Sequence, residues 1–98
     1  MGDMHKQMAD RLARLYDLPY GGKAQGRYRI SAKLFHALAG RRRLYEDDIR
    51  LITRELLERG YVLIDMGTYY SVLTAATAGS YRRVNAEALN HVLPPPAV

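Results

Sequence analysis

The chain has 98 residues, enough for one small domain with a modest core and too few to enclose a large catalytic cleft under its own lid. It contains no cysteine, which excludes disulfide frameworks, thiol catalysis and thiolate metal sites, and no apolar run approaches the ~18 residues that a membrane-spanning helix needs. Net charge is +5 and unevenly spread: residues 18–45 carry seven bases (Lys23, Arg27, Arg29, Lys33, Arg41, Arg42, Arg43) and no acid, whereas the remainder carries eight bases against ten acids. A contiguous basic block of this kind can form one positive face, the electrostatic footprint of a polyanion binder.

Met4, Met8, Leu12, Leu15 and Tyr16 recur at helical spacing over residues 4–17, opposite Lys6, Asp10, Arg11 and Arg14, so the chain is expected to open with an amphipathic helix capped by Asp3. The acids Asp3, Asp10 and Asp17 and the lack of an apolar leader core argue against a targeting segment and set the expectation of a cytoplasmic protein. Pro19 and Gly21-Gly22 end the helix, and GGKAQG reads as a flexible connector. Its Gly-Gly-Lys is not a phosphate loop, because no Ser or Thr follows the lysine and no strand precedes the glycines. RYRI, residues 27–30, alternates as a short strand does, placing Arg27 and Arg29 on one face and Tyr28 and Ile30 on the other.

Ser31 is placed to cap a second helix, SAKLFHALAGRR, with Leu34, Phe35 and Leu38 as its core stripe and Gly40 closing it. A third helix is expected from about Glu46 to Arg59, with Ile49, Ile52, Thr53 and Leu56 inward and Gly60 after its end. YVLIDMG and TYYSVLT then read as a hairpin joined around Met66-Gly67. YRRV, residues 81–84, suggests a further short strand. Asn85 is placed to cap a last helix running to about Val92, before Pro94-Pro95-Pro96 forbids more. Residues 1–93 thus form one expected domain and 94–98 a disordered, proline-rich tail.

Helix, short strand, helix, turn, helix and hairpin, with IRLITRELLERGYVLI leading into YYSVLT, resembles the winged helix-turn-helix superfamily over residues 4–74. The resemblance implies an α+β fold of three helices, a short strand and a β-hairpin wing, followed by a C-terminal helix. It also implies a third helix in the major groove of double-stranded DNA, braced by the second. The exposed positions of that helix would be Asp47, Arg50, Leu51, Arg54 and Glu58. Arg50 and Arg54 lie four apart on one face and would read base edges, while Lys33, Arg41, Arg42, Arg43 and Tyr45, with Arg27 and Arg29, would hold phosphates. Thr68 and Tyr69 would sit at the wing tip.

Two features depart from the pattern. Glu46, Asp47 and Asp48 occupy the first turn of the supposed reading helix, and the wing carries Asp65 and no basic residue. The acids suit a helix N-terminus and the arginines before them suit a helix C-terminus, each through the helix dipole. That dipole explains the acids better than the arginines, because one or two cations would satisfy it.

His5, His36 and His91 stand alone without a second ligand at metal spacing, and no metal or cofactor site is expected. Adjacent Asp47 and Asp48 point about 100° apart on a helix and make no catalytic pair. Eight tyrosines are many for this length; those in the hairpin (Tyr61, Tyr69, Tyr70) suit sheet packing, whereas Tyr28 and Tyr81 lie beside arginines. Single-strand binding would require tyrosines clustered on one sheet face with bases around them.

The expectation is therefore a small, non-enzymatic, double-stranded-DNA-binding regulator of bacterial or phage type, paired as a homodimer through its first or last helix. Its rival is a protein-binding winged helix that meets a partner through the tyrosine-rich hairpin, as a complex subunit or as an inhibitor of a nucleic-acid-binding machine.

Overall fold

The computed structural model describes residues 3–97. Helix α1 (Met4–Tyr16) begins where Asp3, in extended conformation, accepts a 2.8 Å hydrogen bond from the His5 backbone N–H. That bond holds the Asp3 carboxyl below its usual pKa. Strand β1 (Tyr28–Ser31) runs directly into α2 (Ala32–Ala39), whose N-terminus is capped by the Ser31 hydroxyl accepting from Leu34 N–H at 3.2 Å. Gly40 then adopts φ 71°, a left-handed backbone that a residue with a Cβ would resist, and ends the helix. Helix α3 (Glu46–Glu58), strands β2 (Tyr61–Asp65) and β3 (Tyr69–Thr74), and two short helices, α4 (Ala75–Gly79) and α5 (Ala86–Asn90), complete the order.

The three strands form one antiparallel sheet of order β1-β3-β2. Strand β3 is central, pairing Ile30 with Tyr70 on one side and Leu63 with Val72 on the other. Alternation sends Tyr28, Ile30, Leu63, Tyr70 and Val72 towards the helices and leaves Arg29, Ile64, Tyr69 and Ser71 on the opposite face. Met8 and Leu12 of α1, Phe35 and Ala39 of α2, and Ile52 and Leu56 of α3 close over the inner face. Phe35 stacks on Tyr70 with ring centroids 3.9 Å apart. Each fully buried Leu, Met or Phe side chain contributes about 1.5–3 kcal/mol, so these residues dominate the stability of the domain.

Polar ties fix the helices around that core. Arg59 donates from Nε to Asp10 at 2.7 Å and from Nη1 to Glu55 at 3.1 Å, coupling the end of α3 to α1. Those two carboxylates raise the Arg59 pKa. The Tyr28 hydroxyl donates to the Leu12 carbonyl at 2.6 Å, and burial pushes its pKa up strongly.

The expected three helices, hairpin wing and single trailing helix are corrected on these facts. Five helices are present among the described residues, and the strand after α1 joins the hairpin in a three-stranded sheet, locked along β3. The winged helix-turn-helix layout does not describe this connectivity; a small α+β domain with several helices and an antiparallel sheet does. Helix α4 was not expected, because five residues with three alanines carry no amphipathic period, yet the Thr74 hydroxyl caps it by accepting from Thr77 N–H at 3.0 Å. YRRV is not a strand: residues 81–84 are exposed and pair with no strand among the described residues. Leu34 is 59% exposed instead of buried, and Ala39 takes its place in the core.

Beyond α4 the chain leaves the body. Residues 79–97 are all exposed, and the radius of gyration is 16.9 Å, against about 13 Å for a compact chain of this length. Among the described residues no helix is long and apolar enough to cross a membrane.

Candidate nucleic-acid interface

The triple-arginine turn is built from its backbone outward. Past Gly40, the Arg41 N–H donates to the His36 carbonyl at 3.1 Å, and the His36 ring donates from Nδ1 to the Arg42 carbonyl at 2.8 Å. The loop is thus tied back to α2 at two points, and Leu44 anchors its far side against the core. Its three arginine side chains are exposed and form no ion pair among the described residues.

The acids that follow are engaged elsewhere. Asp48 accepts from the Tyr45 N–H at 3.0 Å, closing the first turn of α3, and its other oxygen accepts from His5 Nε2 at 2.9 Å. The His5 hydrogen bond and then the Tyr45 N–H hold its carboxyl below the usual pKa. Asp48 therefore clasps the start of α3 to the start of α1. Asp47 pairs with Arg50 at 3.1 Å, a contact between side chains that are 81% and 73% exposed and hence worth about 1 kcal/mol or less. An incoming phosphate or base could displace it at little cost.

Arg50 and Arg54 share the outward face of α3 with Asp47, Leu57 and Glu58, while Leu51, expected to be exposed, is half-buried. Tyr45 stands 63% exposed at the start of α3, beside the arginines. Lys33 lies at the opposite end of α2, next to the hairpin tip, because the Ala32 N–H donates to the Thr68 carbonyl at 3.0 Å. Thr68 is exposed at that tip. Tyr69 is half-buried on the outer face of the sheet, with the Arg29 guanidinium 5.8 Å from its ring centroid.

The basic block of residues 18–45 is consequently divided. Arg41, Arg42 and Arg43 stand with Tyr45 at the α2–α3 turn, whereas Arg29 projects from the sheet face that points away from the helices, and Arg27 lines a groove there with Lys23. No protein-family model matches the chain, and no curated protein and no solved structure matches it either.

Two site features escaped sequence reasoning. The His36 latch and the His5–Asp48 clasp join residues 6 and 43 positions apart, and isolated histidines give no sequence signal for such contacts. The division of the basic block did leave a signal: the alternation of RYRI already separates Arg27 and Arg29 from the core-facing Tyr28 and Ile30. Among the described residues no three His, Cys, Asp or Glu side chains converge on a point where a metal ion would be held.

Proposed function

We propose that this protein binds double-stranded DNA through the α2–α3 turn and the outward face of α3, and acts as a small DNA-binding regulator. The observation that carries the proposal is the turn itself: three consecutive, exposed guanidinium groups that form no ion pair among the described residues, on a backbone latched by His36. Such groups exchange condensed counterions for phosphate contacts, which supplies sequence-independent affinity. Arg50 and Arg54, four residues apart on one helix face, are the side chains with the reach and geometry for guanine edges. Tyr45 would add a hydroxyl contact to the same backbone stretch, and Lys33 a more distant one.

Fluorescence anisotropy of a labelled duplex across a salt series tests this. Binding that weakens steeply with salt supports it; absence of binding at low salt overturns it.

A second reading, a protein-binding module, is favoured by one specific observation. Val84, Leu89, Val92 and Leu93 on the C-terminal arm are 73%, 46%, 77% and 53% exposed. A five-residue helix is too short to persist alone in water, so α5 gains from a surface to lie on. If the protein pairs with itself through its first or last helix, this arm is the one of the two that keeps exposed apolar side chains, since the apolar stripe of α1 is spent on the core. Deleting residues 80–98 and measuring the molar mass by light scattering separates a dimerising arm from a monomeric DNA binder.

A further inference from the structure

We propose that the outer face of the sheet is a binding groove for single-stranded nucleic acid, separate from the duplex surface. A cavity of about 610 Å³ lies there, open to solvent. Its floor is apolar, from Leu18, Ile64 and Leu73, and its basic groups are Lys23, Arg27 and Arg29, with no acid among its lining residues. Tyr20 and Tyr81 also line it, 43% and 61% exposed.

The combination is what a single strand requires. Unpaired bases expose flat apolar faces that stack on aromatic rings, and the backbone between them carries one negative charge per nucleotide. Tyr20 is held ready for stacking: its hydroxyl donates to the Leu15 carbonyl at 2.7 Å, and its ring meets Tyr28 edge-on, centroids 6.0 Å apart. Little side-chain freedom is then lost on binding. Tyr81 reaches the same groove from the root of the C-terminal arm, so two rings stand beside three cations. Arg29, lying over Tyr69, extends the basic edge along β1 towards the hairpin tip. A duplex presents its bases inward and offers nothing to stack, so this groove favours separated strands.

The test is titration of a labelled twelve-nucleotide single-stranded oligonucleotide, read by anisotropy and by tyrosine fluorescence, with sedimentation of the same samples. Wild-type protein is expected to bind with quenching of tyrosine emission. Tyr81→Ala, at an exposed position, should bind roughly tenfold more weakly with reduced quenching. Joint replacement Lys23→Gln, Arg27→Gln and Arg29→Gln should lower the salt slope by about 2, at roughly 0.7 per phosphate. Replacement of Arg41, Arg42 and Arg43 by Gln should leave single-strand quenching in place, so failure of the duplex proposal would not imitate failure of this one. Unchanged affinity in both groove variants overturns the proposal. So does a groove variant that alters only the sedimenting mass, which would assign the groove to a second copy of the chain.

Discussion

Replacing Arg41, Arg42 and Arg43 together by glutamine removes three positive charges and keeps comparable polar side chains. All three are exposed and unpaired among the described residues, so the fold should lose little; such surface changes usually lie within about 0.5 kcal/mol. The effect on DNA should be large. If each guanidinium neutralises one phosphate, the slope of log affinity against log salt becomes shallower by about 2.7, at roughly 0.9 per contact. At about 0.1 M salt, tenfold below a 1 M reference, that corresponds to roughly 500-fold weaker binding, near 3.7 kcal/mol. The assay is anisotropy of a labelled duplex at four or more salt concentrations, beside a thermal melt of the same samples. An unchanged slope with intact folding would refute the assignment of these residues to phosphates.

Arg50→Ala and Arg54→Ala should each cost about 1–3 kcal/mol in discrimination between a selected site and random duplex, with a smaller loss on the random sequence; competition binding reads the ratio. His36→Ala removes no arginine yet unties the Arg42 carbonyl, so duplex affinity should drop several-fold, in keeping with the roughly 1 kcal/mol worth of one such bond. Asp48 gives a pH prediction whose sign follows from its environment: its folded pKa is lowered, so its stabilisation is present above the ordinary carboxylate range and is lost as pH falls through the folded value. Urea unfolding between about pH 6 and pH 2 should therefore show an acid loss of stability in the wild type that is smaller in Asp48→Asn.

The parts of the fold that were legible are those with a local cause. Asp3, Ser31 and Asn85 cap the helices they precede, Gly40 and Gly60 sit at positive φ after α2 and α3, and the apolar periods of α1 and α3 deliver Met8, Leu12, Ile52 and Leu56 to the core. What misled was non-local. Nothing in residues 27–31 states that β1 will lie against β3 some forty positions later, and that pairing is what corrects the overall layout. Leu34 obeys helical spacing yet faces solvent, because α2 is only eight residues long and Phe35 with Ala39 fills its contact with the sheet. The site followed the same rule. The arginine turn and the α3 face could be placed from helix ends and periods, whereas the groove joins residues 18–29, 64–73 and 81 and emerges only once the sheet is assembled.

The central claim concerns where on the molecule duplex DNA binds, and amide chemical-shift mapping during titration with a short duplex tests it most directly. The account expects the largest shifts at residues 41–54, with small ones along the outer face of the sheet. Shifts concentrated on the groove residues 20–29 and 81, or on the arm beyond residue 80, with the turn unaffected, would contradict it.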